Sequence, residues 1–382
     1  MTAASTQAGA PPALAAIKAL IASEIGPVAD ELDQAQSIPP QLLDNIGRSG
    51  LLGACIAAQY GGQAFDDQAV GELGAALGAA SCSLLSLFTV HTMVSVAIGR
   101  WGTPAQRTQW LPRLAGGAVI GACALSEDGA GSDIAAASTT LTRQGDTLLL
   151  DGAKTWISFG QVAGLFLVSA QLDGQLTTVL VDRDQPGLSV TPIRDMYGFR
   201  SAMLARIAFD RCVLPSANLL GSTGFGLSRI VGSVLDHGRF CIAWGAAGLA
   251  QACLEAAVHH ADTRVQFAKP LSEQPLIQQL LSDMMVHSRA AALMCRDATN
   301  ARQGRANDML ARTTAAKYFA ASAAEQVAGQ ALQIHGALGL SGGHPVQRYA
   351  RDARILSLIE GSRQIQQMLI AQYSRQWIHT CT

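Results

Sequence analysis

The spacing of hydrophobic residues along this chain changes twice. Over residues 14–121, apolar positions recur at helical intervals and are interrupted by glycine and proline. Over residues 122–221, short runs that alternate between apolar and polar residues replace this pattern. From about residue 225 onward, long helical repeats return. We therefore expect an α+β protein with an N-terminal helical domain (1–121), a middle antiparallel β domain (122–222) and a C-terminal four-helix bundle (223–382).

The same pattern predicts individual elements. Thr103 precedes Pro104, which predicts a helix N-terminus with Thr103 as its cap. Turn-forming pairs such as Asp173-Gly174 separate five predicted strands, over residues 137–143, 147–150, 165–170, 177–181 and 207–209. Apolar residues at i, i+3, i+4 and i+7 predict long helices over residues 277–295, 310–332 and 346–370.

One apolar stretch, residues 73–99, contains no Asp, Glu, Lys or Arg and is long enough to cross a bilayer. It also contains several Ser, Thr and His residues, which favour two buried core helices joined near residues 80–83. We therefore expect no membrane span and no membrane partner.

Composition narrows the classes of function. Hydrophobic residues make up 49% of the 382 residues and charged residues 14%, as in a soluble globular protein with a large core. The formal net charge is −1 and no run of five basic residues occurs, so we expect no nucleic-acid partner. The eight cysteines form no CxxC pair, which indicates free thiols and no metal site. Because residues 1–12 lack the features of a signal peptide, we expect a cytoplasmic location.

Several generic motifs lack the context that they require. The run Gly339-Leu340-Ser341-Gly342-Gly343 matches the nucleophile pattern GxSxG, but a helical pattern precedes it where a strand is needed. A turn between two helices is therefore expected there. The nicotinamide, P-loop and zinc-protease motifs do not occur. His259-His260 is expected to be a pair on a helix surface.

Two segments near the middle of the chain suit a flat ligand with a polar rim. Residues 123–133 combine glycines with Ser126 and Ser132, so that amides and hydroxyls can approach a ring or a pyrophosphate. Within residues 152–158, Trp156 can stack on a ring while a neighbouring hydroxyl binds its edge. Taken singly, an ordinary glycine turn and a core tryptophan are the alternative interpretations.

Two further segments lie in the C-terminal region. The loop over residues 264–271 joins two of the long helices and is uninformative alone. Residues 333–336 precede the segment 359–366, in which Glu360 follows the apolar run 355–359. Apolar surroundings raise the pKa of a carboxyl towards the range of a general base. The ordinary alternative for this glutamate is a contact with a neighbouring helix.

In this order and at these separations, the four segments resemble the acyl-CoA dehydrogenase family, and the likeness extends over nearly the whole chain. The resemblance implies a helical domain, a β domain and a four-helix bundle, with FAD held between the subunits of a homodimer or homotetramer. Four positions depart from the family's usual residues, and none of these departures removes a chemical group. They are Asp128 in place of Pro, Ala268 and Ala337 in place of Gly, and Leu340 in place of an aromatic residue.

The resemblance also implies a role for each matching position. Trp156 and Ser158 match contacts of the flavin ring, and Glu360 matches the catalytic base. Arg239, Gly361 and Ser132 match positions beside the substrate. The full set that the resemblance places around FAD is Leu125, Ser126, Gly131, Ser132, Trp156, Ser158, Arg264, Gln266, Phe267, Gln333, Gly336, Ser362 and Gln364. Of these, Arg264, Gln266, Phe267, Gln333 and Gly336 match segments that reach the FAD of a neighbouring subunit.

The implied reaction removes a weakly acidic α-proton and a β-hydride from an acyl thioester. By the resemblance, Glu360 takes the proton and N5 of the flavin accepts the hydride. The thioester oxygen gathers negative charge, and the family binds it with the backbone N–H of the base's own residue and a hydroxyl of FAD. Gly361, directly after Glu360, provides a flexible backbone close to the substrate.

Residues 81–94 resemble a branch of the family that acts on acyl carrier proteins in polyketide and nonribosomal-peptide pathways. We therefore expect a thioester of a carrier protein or CoA as substrate, and electron-transfer flavoprotein or oxygen as electron acceptor. One alternative is oxidation of a hydroxy- or amino-substituted three-carbon unit to a malonyl-type extender. Another is a flavin-dependent amine monooxygenase, against which Glu360 argues. A third, a flavin-free partner subunit, conflicts with the complete set of FAD contacts.

Overall fold

The computed structural model describes residues 12–378. The expectation for the N-terminal segment and the cysteine at position 381 therefore lie outside the described residues, apart from Pro12. Helices, then strands, then helices follow one another along the chain, which confirms the predicted fold class. The first six helices are α1 (Pro12–Leu20), α2 (Ala29–Ala35), α3 (Pro40–Arg48), α4 (Asp67–Ala80), α5 (Cys82–Trp101) and α6 (Pro104–Ala115).

The apolar stretch of the N-terminal domain forms two helices, α4 and α5, as predicted. Ser81 separates them, and its hydroxyl caps α5 by accepting from the Leu84 N–H. Thr103 caps α6 in the predicted way, in a reciprocal capping box with Gln106. Among the described residues, α5 and the segment Arg229–Thr263 are long and apolar enough to cross a membrane, but most of each is buried inside the protein.

The middle domain is an eight-stranded sheet in which antiparallel pairs predominate. Four of the five predicted strands lie within observed ones, and the fifth, residues 137–143, overlaps β2 only from Thr140 onward, while β1, β6 and β8 were not predicted. Two pairings, β1 with β4 and β2 with β4, are parallel, so the sheet is mixed rather than purely antiparallel. The strands are β1 (Gly121–Ala124), β2 (Thr140–Gln144), β3 (Thr147–Ile157), β4 (Leu165–Leu172), β5 (Gln175–Asp182), β6 (Leu188–Pro192), β7 (Ala205–Pro215) and β8 (Leu219–Leu220). Their order across the sheet is β6-β7-β3-β2-β4-β5-β8.

Three long helices and one broken helix form the C-terminal domain. The GxSxG-like run lies in the turn between two of these helices, as expected. A short hairpin of β9 (Val265–Gln266) and β10 (Lys269–Pro270) joins the first two. The helices are α7 (Gly232–Thr263), α8 (Pro275–Gln303), α9 (Met309–His335), α10 (Pro345–Leu356) and α11 (Arg363–Ile378).

The prediction of one continuous helix over residues 346–370 was wrong. Residues 357–362 separate α10 from α11. Glu360 and Gly361 have φ values of +54° and +94° there, in the left-handed region that an α-helix cannot contain. A non-glycine residue in this conformation is strained, so other contacts must hold it in place.

The N-terminal and C-terminal helices share one hydrophobic core. Small residues let α4 approach α7 closely. A Cβ on Gly78 would lie 2.0 Å from the carbonyl oxygen of Gly245, and one on Gly248 would lie 2.0 Å from that of Ala75. Helix α5 packs against both α7 and strand β1, so helices and sheet meet beside it.

Candidate active site

A cavity of about 550 Å³ lies where α5, α7, the sheet and the break between α10 and α11 meet. Helix α5 contributes Ser86, Thr89, Val90 and Met93 to its wall, and α7 contributes Leu235 and Ile242. The cavity also brings together ten residues that the sequence assigned to the site. They are Leu125, Ser126, Gly131, Ser132, Trp156, Ser158, Arg239, Glu360, Gly361 and Ser362.

The Glu360 carboxyl occupies space that a glycine provides. A Cβ on Gly238 of α7 would lie 2.4 Å from Glu360 Oε2 and 2.9 Å from the sulfur of Met93. Oε2 is shielded from solvent and has no hydrogen-bond partner among the described residues. An unpartnered buried carboxyl oxygen is costly, and such groups cluster at functional sites.

The surroundings of Glu360 favour its neutral form. Burial raises the pKa of its carboxyl to about 7, although the positive charges of Arg239 and Lys317 act in the opposite direction. Desolvation of the charged form is the physical cause, since few dipoles replace the lost water. A carboxylate with a pKa near neutrality can accept a proton and release it again at physiological pH.

Three side chains from outside the break hold its backbone. Arg239 Nε and Gln366 Nε2 donate to the carbonyl oxygen of Glu360 at 3.2 and 2.9 Å. Lys317 Nζ donates to the carbonyl oxygen of Gly361 at 2.8 Å, and Gln366 Nε2 also reaches it at 3.3 Å. These bonds replace the helical hydrogen bonds that the two left-handed residues cannot make. Within the described part of the chain, no acceptor pairs with the backbone N–H of Glu360.

Sequence reasoning missed Lys317 and Gln366. One signal for Lys317 was available, because the chain contains only four lysines: Lys18, Lys154, Lys269 and Lys317. Lys317 interrupts the alanine-rich face of α9, and it is 1% exposed. A buried lysine is rare unless it is paired, which marks the position for attention.

The sheet side of the cavity is held by a buried ion pair that was also missed. Lys154 Nζ donates to Glu127 Oε1 at 2.7 Å, to the Leu125 carbonyl oxygen at 3.2 Å and to Ser169 Oγ at 3.1 Å. Glu127 also accepts hydrogen bonds from Ser138 and Thr139. Burial opposes ionisation of Glu127, but these bonds outweigh it and lower its pKa to about 2. The pair therefore fixes the strand end that carries Ser126.

The sheet side also presents a flat apolar surface with polar groups around it. Trp156 has a φ of +60° and is 54% exposed, so its ring is available to the cavity. The hydroxyls of Ser126, Ser132 and Ser158 have no hydrogen-bond partner among the described residues. An exposed indole with unpaired hydroxyls beside it fits an aromatic ring that has hydrogen-bonding edges, such as a flavin.

Five of the remaining predicted residues lie at one end of the helical bundle, outside the cavity. Phe267, in the hairpin after α7, is 91% exposed. Its neighbours Arg264 and Gln266 are also exposed. Gln333 and Gly336 lie at the end of α9. The ring of His260, near the end of α7, stacks on that of His335, at the end of α9, with 4.3 Å between the ring centroids. His260 therefore packs against a second helix, and the prediction of a simple surface pair is incomplete for this residue.

These residues cannot reach the cavity within one chain. Sixteen residues of α9 separate Gln333 from Lys317, about 24 Å of helix. Gln364 is exposed on α11 and does not line the cavity either. The part of the predicted set assigned to a neighbouring subunit thus lies apart from the part assigned to the same subunit.

Comparison with known proteins agrees with this architecture. The acyl-CoA dehydrogenase N-terminal domain matches residues 13–118, the middle domain 122–212 and the C-terminal domain 224–374. The short-chain specific acyl-CoA dehydrogenase of Mus musculus mitochondria is 34% identical over 354 residues, which cover 91% of this chain and 85% of that protein.

Two solved structures are similar over almost their whole length. FkbI, described as acting in biosynthesis of the methoxymalonyl extender unit of the Fk520 polyketide, has a TM-score of 0.87 and 34% identity, covering 94% of this chain and 98% of its own. Butyryl-CoA dehydrogenase from Megasphaera elsdenii has a TM-score of 0.91 and 27% identity, covering 96% and 99%. This chain is an oxidoreductase that belongs to the acyl-CoA dehydrogenase family.

Proposed function

We propose that this chain catalyses FAD-dependent α,β-dehydrogenation of a short acyl thioester, with Glu360 as the base. One observation carries the proposal. A buried carboxyl with a pKa of about 7 and an unpartnered oxygen lines the same cavity as the exposed indole of Trp156. A base and a surface for a flat cofactor are the two components that this reaction needs from the protein.

The residues that would hold FAD at its ring end are Leu125, Ser126, Gly131, Ser132, Trp156 and Ser158, with Ser362 nearby. When bound, FAD would accept the hydride that leaves the β-carbon of the substrate. Arg264, Gln266, Phe267, Gln333 and Gly336 would contact the FAD of a second copy, so the proposal includes a homodimer or homotetramer. Gln364 would help to hold the adenosine part of FAD.

Glu360 would take the α-proton, and its own backbone would assist. Because no acceptor among the described residues binds the Glu360 N–H, this group is free to donate to the thioester oxygen as charge develops there. Arg239 and Gln366 fix the carbonyl of the same residue, so that side chain and N–H keep one orientation. Burial excludes competing water from the carboxyl.

Helices α5 and α7 pack closely one turn beyond the residues that line the cavity. A Cβ on Gly245 would lie 2.1 Å from the Leu85 side chain, so α5 and α7 leave no space one turn beyond Thr89 and Ile242. A short acyl group fits such a pocket. We propose a pantetheine thioester, carried by a carrier protein as the likeness to FkbI supports, or by CoA as the likeness to the mouse enzyme supports.

A second candidate substrate is a three-carbon acyl group with a hydroxyl or amino substituent. Ser86 lines the cavity, and its hydroxyl has no hydrogen-bond partner among the described residues. An unpaired donor and acceptor favours a polar substituent over a hydrocarbon chain. By contrast, a flavin-dependent amine monooxygenase has no use for the buried Glu360 carboxyl.

Purified protein tests the proposal directly. Oxidised flavin gives an absorbance band at about 450 nm, and anaerobic addition of a substrate thioester should bleach this band. The panel consists of propionyl, butyryl, 3-hydroxypropionyl and glyceryl groups, each on CoA and on a carrier protein. Colourless protein that takes up no added FAD would contradict the proposal.

The Glu360→Gln variant identifies the base. It should bind FAD normally, and its bleaching by substrate should slow by about 10³-fold or more, as expected for loss of a general base. The matched control is Glu255→Gln, which changes an exposed carboxylate of α7 whose side chain, among the described residues, accepts a hydrogen bond from Gln251 alone. The control should bleach at the unmodified rate, and equal bleaching by both variants would show that the base lies elsewhere.

A further inference from the structure

Lys317 is in an unusual electrostatic position. Its ammonium is buried on α9, and it donates to the Gly361 carbonyl oxygen at 2.8 Å. Among the described residues it forms no direct ion pair, unlike the other buried lysine, Lys154. Burial of an ammonium without a nearby negative charge is strongly unfavourable. Lys317 therefore depends on a carboxylate that lies close but is not in direct contact.

That carboxylate is Glu360. Burial lowers the pKa of Lys317 to about 8, and the charge of Glu360 is what opposes this change. Conversely, Lys317 and Arg239 are the two cations that oppose the raised pKa of Glu360. Arg239 and Arg363 repel Lys317, so the remaining charges around it do not stabilise it.

Geometry links the two groups through one peptide unit. Lys317 binds the carbonyl of the residue directly after Glu360, in the segment where both residues adopt left-handed backbone. The hydrogen bond therefore stabilises the conformation that directs Glu360 into the cavity, and the charge acts on the same carboxyl. Sequence comparison with the family assigned no role to this lysine.

We propose that Lys317 is a positioning residue for Glu360, holding the Gly361 carbonyl and supplying a counter-charge that favours the ionised form of the carboxyl. This inference rests on the proposed role of Glu360 as a base. It adds a second requirement, a cation on α9, that is distinct from the requirement for the base itself.

The neighbouring Gln366 makes a matched comparison possible. It is fully buried and donates to the same Gly361 carbonyl, but it is neutral. Lys317→Gln removes the charge and keeps a donor of similar length, whereas Gln366→Leu removes a donor and changes no charge. If Lys317 acts through its charge, only the first variant moves the pH dependence of the base.

The measurement is exchange of α-hydrogen for deuterium in acetyl-pantetheine, followed by NMR across pH 5–10 with the FAD-loaded enzyme. The acetyl group has an α-carbon and no β-carbon, so Glu360 can remove and return a proton without any dehydrogenation. Unmodified enzyme should exchange with a midpoint near pH 7.

Lys317→Gln should raise the midpoint by about one unit and slow exchange about fivefold at pH 7, with recovery above pH 9. Gln366→Leu should slow exchange at every pH, and Lys317→Arg should restore the midpoint.

The outcomes separate the two proposals. Absence of exchange in the unmodified enzyme, or full exchange by Glu360→Gln, overturns the role of Glu360. Exchange that Glu360→Gln abolishes, with the same midpoint in Lys317→Gln as in unmodified enzyme, overturns the role of Lys317 alone.

A second measurement covers the case in which Lys317→Gln does not fold. The chain has four lysines, so the ammonium groups of ¹⁵N-lysine protein can be titrated individually. Glu360→Gln should lower the midpoint of Lys317 by about one unit and leave the exposed Lys269 unchanged. An unchanged Lys317 midpoint would refute the coupling.

Discussion

The two sides of the cavity each contain a buried lysine and a glutamate, but the arrangement differs. On the sheet side, Lys154 contacts Glu127 directly at 2.7 Å, and the pKa of that glutamate falls to about 2. On the helical side, Lys317 binds a carbonyl instead, and the pKa of Glu360 rises to about 7. A fully bonded pair stays ionised and acts as a clamp. A carboxyl with an unbonded oxygen is left free to gain and lose a proton near neutral pH.

The largest expected effect is a loss of unfolding free energy when the ion pair on the sheet side is broken. Lys154→Met leaves Glu127 buried without its cation, and loss of one partner of a buried pair costs about 3–5 kcal/mol of unfolding free energy. Urea denaturation measures this loss. The double variant Glu127→Gln/Lys154→Met should recover part of it, because neither group is then charged. A loss below about 1 kcal/mol in Lys154→Met would show that the ion pair of Lys154 and Glu127 does not stabilise the sheet side.

The next effect is on the helical side and concerns activity rather than stability. Gly238→Ala places a methyl group 2.4 Å from Glu360 Oε2, so the carboxyl must move away. We expect about a 100-fold loss of substrate-dependent flavin bleaching, the scale expected when a catalytic group is displaced by about 1 Å. The control is Gly329→Ala on α9, where an added Cβ meets no atom within 4 Å. Equal activity of both variants would contradict the close approach of Gly238 to the base.

The pH dependence of stability should have opposite signs on the two sides. Glu360 has a folded pKa of about 7 against an ordinary 4.5, so folding favours its protonated form and stability is lost as pH rises between these values. Glu360→Gln should therefore raise the unfolding free energy at pH 8 by roughly 2–3 kcal/mol and leave it unchanged at pH 4. Glu127 has its pKa lowered to about 2, so its contribution is present above pH 4.5 and is lost as pH falls through 2. Glu127→Gln should thus lower stability at pH 8, and a rise there would contradict the assignment.

The smallest effect concerns the residue next to the clamp. Asp128 forms an ion pair with Arg206 at 2.9 Å, but both side chains are largely exposed. Exposed pairs contribute little, so Asp128→Ala should change the unfolding free energy by less than about 0.5 kcal/mol. A loss as large as that of Lys154→Met would show that distance alone, and not burial, decides the strength of these pairs.

The pattern along the chain predicted the order of domains, and the resemblance to a known family predicted the ten residues that line the cavity, because it matches several short motifs in order. The sequence was insufficient for the break that presents Glu360. The apolar spacing continues through Ile355, Ile359 and Ile365, so the periodic pattern alone predicts an uninterrupted helix. The donors that hold the break open, Arg239 and Lys317, are 121 and 44 positions away along the chain. A contact of this kind is visible only after folding.

The sequence pattern missed strands β1, β6 and β8 for a similar reason. β1 has four residues and β8 has two, too short for an alternating pattern to stand out. β6 is partly or fully exposed along its length and so lacks a buried face. The clamp was missed because Glu127 and Lys154 lie in separate motifs, and only the sheet brings them together.

The close packing of Leu85 against Gly245 has an evolutionary consequence. On the α7 side the contact is bare backbone, which no substitution can make smaller, so any widening between the two helices at this point has to come from Leu85. We expect a smaller side chain at position 85 to open space between α5 and α7 there. Selection for a new acyl substrate could therefore act in one step, and drift at this position would be the first sign that a descendant enzyme had changed its metabolic role.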